Sequence, residues 1–348
     1  MFANKDSYYR FRKLPANFRT TMRIAITGAS GHVGSTLVRE LNHQKHSLKL
    51  LIHQDKKGLE GIQYVPVKGN ILDSSAVHEL CKDVDVVFHL AARIAISKKH
   101  RDLVYTTNVE GTRNVVNACL DNKVARLIHF SSIHALDPFP LNEELDETRA
   151  LVTGRHGSYD QSKADGQRLV MEHVRESGLN AVIFNPTAII GPNDYRFSFL
   201  GQALRLIYKG SLPMLVPGGY DWVDVRDVVQ TAINAMEMGR RGESYLLSGT
   251  YMTLKELSLL VQEITPHKTP RVTVPTAVAR LGLPFISLYA HIRGEDPLYT
   301  KESLAILKEC NPRISHEKAT KVLDYKPRPL RETLIDTFNW QKEVWRLK

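Results

Sequence analysis

The tightest constraint on this chain is a glycine-rich turn set between an apolar run and an amphipathic one. Residues 22–27 read as a strand. The segment Thr27 to Gly34 carries Gly28, Gly31 and Gly34, and residues 33–45 have apolar positions at helical spacing. Glycine lets a backbone turn tightly and approach a ligand closely, and the exposed N–H groups at the start of a helix favour an anion. Strand, turn and helix in direct succession therefore predict the first βα unit of a parallel sheet, with a site for the pyrophosphate of a dinucleotide.

The same alternation continues. Strands are expected at 48–53, 62–67, 85–90, 125–131 and 181–186, with a later, returning strand at 244–248. Helical spacing fills 33–45, 74–82, 101–121 and 159–177. Strands alternating with helices give an α/β fold, a doubly wound parallel sheet. Beyond Gly191 the rhythm breaks into helices, loops and prolines. The expected division is a dinucleotide-binding domain over 22–190, with 223–249 returning to it, and a smaller, mostly helical substrate lobe over 191–222 and 250–340.

Composition removes several function classes. With 43% hydrophobic and 24% charged residues the bulk of the 348-residue chain is an ordinary globular protein rather than a disordered one. Lys and Arg outnumber Asp and Glu by 47 to 37, a net charge of +10, but the cations are scattered among acids. Without a basic helix or zinc-finger spacing, no nucleic-acid partner is expected. Cys81, Cys119 and Cys310 form neither a CxxC nor a Cys/His cluster, so reduced thiols in a cytoplasmic protein are expected and no metal is implied. Residues 1–21 are polar and basic, lack the apolar stretch of a secretory signal, and are expected to be a disordered tail. The apolar stretch 274–292 is interrupted by Arg280 and Pro284, too short for a membrane span, and reads as a core or lid helix.

Two further motifs carry chemistry. Tyr159 and Lys163 are four apart on an expected helix and so project from one face. A phenol is a poor acid or base at neutral pH, and a nearby ammonium is expected to bring its pKa down. Phe130-Ser131-Ser132 ends the fifth strand, at the sheet edge where doubly wound folds bind ligands.

Together these motifs resemble the short-chain dehydrogenase/reductase superfamily, in its extended, epimerase/dehydratase branch with the GxxGxxG turn and the YxxxK pair. The resemblance spans about residues 22–340 and extends to His89–Ala92, Asn108–Thr112, Asn185–Thr187 and Val223–Val228. Residues 181–194 look most like dihydroflavonol-reductase-like and 3β-hydroxysteroid-dehydrogenase-like members. The resemblance implies a Rossmann-type sheet, with Tyr159 as general acid or base, Lys163 lowering its pKa and holding the nicotinamide ribose, and a serine polarising the carbonyl. Ser132 is chosen over Ser131, and Asn108 matches an asparagine that some relatives use in a proton relay. The implied cofactor contacts are Gly28, Ser30, Gly31, His32, Val33 and Gly34, then His53, Lys56, Asn70, Ile71, Leu90, Ala91, Ala92, Lys163 and Pro186.

The end of the second strand bears on cofactor choice. An acid there would bind the ribose hydroxyls of NAD and an arginine the 2′-phosphate of NADP. This chain has Ile52 and His53, followed by Lys56 and Lys57, which leans to NADP over NAD, although Asp55 could also reach the ribose. Asn70 replaces an acid in the family's adenine-side motif. A dehydratase would carry an acidic pair after the serine; Ile133 and His134 stand there instead. The expected reaction is hydride transfer between nicotinamide and a secondary alcohol or carbonyl compound, with an apolar substrate if 281–292 lines the pocket. The rivals are a nucleotide-sugar epimerase using bound NAD and a non-catalytic dinucleotide sensor. Relatives suggest a homodimer.

Overall fold

The computed structural model describes residues 21–94, 101–154, 157–212, 214–283 and 299–347. The chain runs β1 (Arg23–Thr27), α1 (His32–His43), β2 (Ser47–Ile52), β3 (Val65–Lys68), α2 (Ser74–Cys81), β4 (Val86–His89), α3 (Arg101–Asp121) and β5 (Arg126–Phe130). It continues through a 3-10 turn (Ile133–Ala135), α4 (Ser158–Glu176), β6 (Ala181–Pro186), β7 (Ala188–Ile190), α5 (Phe199–Tyr208), β8 (Gly219–Asp224) and α6 (Val225–Met238). Then follow β9 (Ser244–Leu247), β10 (Thr250–Thr253), α7 (Leu254–Ile264), α8 (Lys301–Glu309), α9 (Glu317–Leu323) and α10 (Leu330–Val344).

In β1, Ile24 and Ile26 join one core and Ala25 another, all fully buried. A strand apolar on both faces belongs inside a sheet covered twice. The main sheet has seven strands in the order β3-β2-β1-β4-β5-β6-β9, all parallel. One face packs on α1, α6 and α9, and the other on α2, α3 and α4. The chain order reverses between β1 and β4, so a crevice opens above the carboxyl ends of these strands, where such folds bind ligands.

The third strand begins at Val65, not at the expected 62. Ile62 donates its N–H to Leu59 in a turn, and with Tyr64 packs sideways on the core instead of joining the ladder. The chain from Ala188 onward also holds more sheet than its proline-rich sequence indicates: β7 pairs in parallel with β8, and β8 pairs antiparallel with β10. These strands, with α5, α7, α8 and α10, enclose a third core that includes Trp222, Leu304 and Phe338. Nearly all of the expected tail, 1–20, and the second part of the apolar stretch, 284–292, lie outside the described residues; 276–283 is helical. No described helix is long and apolar enough to cross a membrane.

A buried ion cluster fastens α6 to α10. Arg226 is 1% exposed, meets Asp224 at 2.7 Å through Nη2 and 3.0 Å through Nε, and reaches Asp336 at 2.7 Å through Nη1. Arg328 meets Asp227 at 2.7 Å beside it. Removing one partner strands a buried charge, so Arg226→Met should cost about 3–5 kcal/mol. Urea unfolding of variant and parent at one pH measures this, and a loss below about 1 kcal/mol would show that the cluster relaxes around the deletion.

Candidate active site

The turn after β1 is built around two glycines. Gly28 has φ of +74°, and a Cβ there would lie 2.7 Å from the Ala91 nitrogen. A Cβ on Gly34 would lie 2.1 Å from the Gly28 carbonyl oxygen. Gly28 thus lets β1 and the end of β4 approach, and Gly34 lets α1 start directly against the turn. Gly31 caps α1 without a side-chain bond, and the helix has no acid in its first turn. Its leading N–H groups therefore suit an anion such as a pyrophosphate.

Threonines and histidines hold the turn in place. His89 accepts or donates at 2.8 Å to Thr27 Oγ1 through Nδ1 and at 3.0 Å to Thr112 Oγ1 through Nε2. Thr27 Oγ1 in turn accepts the Ala91 N–H at 3.2 Å. Burial pushes the His89 imidazole down to about 3, so it works as a neutral strut. On the other side, His32 Nε2 meets the Pro192 carbonyl at 2.9 Å and Ser35 donates to the Asn193 carbonyl at 2.8 Å. His129 is buried, has no hydrogen bond at either ring nitrogen among the described residues, and lies 5.3 Å from the His89 ring.

The Tyr159–Lys163 pair faces the same crevice. Tyr159 stands in the first turn of α4 and Lys163 one turn later, beneath the end of β5. Lys163 Nζ donates to the Phe130 carbonyl at 2.7 Å, and burial pushes its ammonium down to about 8. Ser132 ends the extended chain after β5, caps the 3-10 turn by accepting the His134 N–H at 3.2 Å, and lines the cavity with the Tyr159 phenol. Ser131 also lines the cavity, and its hydroxyl donates to the Lys163 carbonyl at 3.5 Å. Asn185 donates at 2.8 Å to the Ser132 carbonyl and at 2.8 Å to Gln167, which fixes the backbone behind the hydroxyl.

One sequence expectation is corrected. The Tyr159 phenol is not brought down by the ammonium: burial pushes it up to about 12, the Ser132 hydroxyl acts in the opposite sense, and the Asp160 carboxylate adds to the rise. Desolvation is the largest cause, because the phenolate would lose water on burial.

The structure brings some of the expected contacts together and leaves others apart. Gly28, Gly31, His32, Val33, Gly34, Leu90, Ala92, Ser132, Tyr159, Lys163 and Pro186 all line one cavity of about 480 Å³. Ser30, His53, Lys56, Asn70, Ile71, Ala91 and Asn108 do not. His53, Lys56 and Asn70 are exposed, on the side of the crevice beyond β2 and β3. Asn108 sits behind α4, donating at 2.9 Å to Ser162 and exchanging bonds with the Arg93 backbone. Asp55 accepts the Lys57 N–H at 2.8 Å and pairs with Arg196 at 3.2 Å.

Sequence reading missed the far wall of the cavity. Leu136, Leu145, Val152, Ile189, Leu200 and Ile306 make it strongly apolar, and Lys163 is the one Lys or Arg among the described lining residues. These positions come from separate elements and share no local motif. His134 and Asp160 add a polar patch beside Tyr159.

A family model described as the NAD dependent epimerase/dehydratase family matches residues 24–248. The chain is 29% identical over 329 residues to sterol demethylase protein B of Methylococcus capsulatus, covering 92% of this chain and 99% of that protein. It is 26% identical over 303 residues to 3beta-hydroxysteroid-dehydrogenase/decarboxylase isoform 1 of Arabidopsis thaliana, covering 81% and 68%. The crystal structure of gox2253 has 30% sequence identity and a TM-score of 0.81, covering 94% of this chain and all, 100%, of that one.

Proposed function

Because the chain belongs to the NAD dependent epimerase/dehydratase family, we propose that it is a nicotinamide-dependent reductase of an apolar ketone, or dehydrogenase of the matching secondary alcohol. The observation that carries this reading is the cavity into which the glycine turn and the Ser132–Tyr159–Lys163 group open, most of whose remaining surface is apolar. A nucleotide sugar brings a diphosphate, which needs cations or several donors when it leaves water. With Lys163 already engaged by Phe130, the described wall has no free Lys or Arg for it. The relatives named for sterols and steroids point the same way, toward a bulky apolar substrate in the lobe formed by 191–222 and 250–340.

The residues fit the cofactor. Gly28, Gly31, His32, Val33 and Gly34 would hold the pyrophosphate, and Lys163 and Pro186 the nicotinamide end. When bound, the cofactor supplies or accepts the hydride. Tyr159, protonated at neutral pH as any phenol is and held so further into alkali by its burial, gives its proton to the carbonyl oxygen. Ser132 donates to the same oxygen as negative charge develops there. The engagement of Asp55 with Arg196 and Lys57 takes away the acid that would bind a free ribose diol, while His53 stays exposed, which supports NADP over NAD.

The test is a panel of apolar ketones, sterol-sized and smaller, with NADPH and NADH in parallel and a set of UDP-sugars beside them. Stoichiometric NADPH oxidation with an apolar ketone is expected. Conversion of a UDP-sugar without net cofactor turnover would replace this reading with epimerisation.

Activity and stability should part company in alkali. Lys163 loses its proton as pH rises through about 8, so ketone reduction should fall there. Between that value and the ordinary 10.5 the unfolded chain still holds the proton that the folded chain has released, so this lysine makes the fold more stable as pH rises. Melting temperatures of the parent and Lys163→Met over that window isolate the contribution. An equal pH slope in both proteins would remove Lys163 from the account.

A further inference from the structure

We propose that His134 and Asp160 form a second acid–base pair in the cavity, one that exchanges a proton on the carbon next to the carbonyl held by Tyr159 and Ser132. This rests on the reading above.

His134 stands one short turn after Ser132, and its backbone N–H donates to the Ser132 hydroxyl at 3.2 Å, so the ring is tied to the group that meets the substrate oxygen. The ring lies edge-on to Tyr159, with centroids 5.9 Å apart and planes at 67°. Nδ1 is 3.5 Å from the Asp160 carboxylate, and Asp160 directly follows Tyr159 at the start of α4. Both side chains line the cavity where its neighbours, Leu136, Pro138, Leu145 and Val152, offer no polar group. Solvation of a surface helix does not account for a histidine and a carboxylate placed together in this wall.

The chemistry follows from the arrangement. A carboxylate on Nδ1 selects the tautomer whose proton sits on that nitrogen, leaving Nε2 with a lone pair as a base. A ketone bound by the Tyr159 and Ser132 hydroxyls has its neighbouring C–H bonds polarised. Nε2 takes that proton, the C–H electron pair forms the carbon–carbon double bond of an enolate, and the charge moves to the oxygen facing the two hydroxyls. Return of a proton from the imidazolium to the same carbon restores the ketone. Atoms and charge balance without any oxidant or reductant, and the substrate class narrows to ketones with an enolisable neighbouring carbon.

The experiment incubates the protein and NADP, the oxidised cofactor that cannot reduce a ketone, with cholestanone or cyclohexanone in deuterium oxide. Mass spectrometry follows deuterium entering beside the carbonyl, and reduction of the same ketones by NADPH is measured separately. Exchange at least ~10²-fold above buffer is expected, falling about 10²-fold or more in His134→Gln, and less in Asp160→Asn. Reduction should fall by a smaller factor than exchange in both variants. Reduction without exchange by the parent protein overturns the inference alone, whether or not the variants fold. Exchange that persists undiminished in folded His134→Gln also overturns it. Neither reduction nor exchange with any apolar ketone overturns the reductase reading and this inference with it.

Discussion

Tyr159→Phe should lower ketone turnover by about 10²–10⁴-fold while leaving the fold and cofactor affinity close to those of the parent. The ring keeps its place at the head of α4 and its edge contact with His134, since only the hydroxyl is removed. What goes is the proposed proton donor beside Ser132. The loss should lie in kcat, because the hydroxyl matters most when charge forms on the substrate oxygen. Steady-state kinetics with NADPH and the best apolar ketone check this. Turnover within about tenfold of the parent would assign the proton to another group. A protein whose cellular role survives the substitution would be a dinucleotide sensor rather than a reductase.

Gly34→Ala should remove cofactor binding at ordinary concentrations. The added carbon would lie 2.1 Å from the Gly28 oxygen and 2.8 Å from the Ala29 backbone, neither of which is the end of a flexible side chain. The turn and the start of α1 must move apart, so the N–H groups that face the pyrophosphate lose their aim. A displacement of about 1 Å costs on the order of 10²-fold in such sites, and overpacking a core about 1–3 kcal/mol. Titration of NADPH fluorescence and urea unfolding separate the two effects. Affinity within about threefold of the parent would mean that the anion is bound elsewhere.

Much of this molecule is legible along the chain. The places of the main-sheet strands along the chain follow from alternating apolar runs, and the strand–turn–helix start is visible in three glycines. Tyr159 and Lys163 share a face because four residues span about one helical turn. The small sheet of β7, β8 and β10 was not legible: its strands are short, and each gains a partner only from a distant segment. The partners of Asp55 were equally hidden, since Arg196 is remote in sequence and reaches it only through the loop after β7.

Local order thus decides the parallel sheet, the anion-binding turn and the identity of the reacting groups, because periodicity and turn chemistry depend on neighbours along the chain. Three-dimensional packing decides how those groups behave. Burial pushes the Tyr159 phenol above its ordinary value, and side chains from both halves of the chain make most of the cavity wall apolar. Desolvation depends on everything that surrounds an atom, and for Tyr159 most of those surroundings are brought together only by the fold.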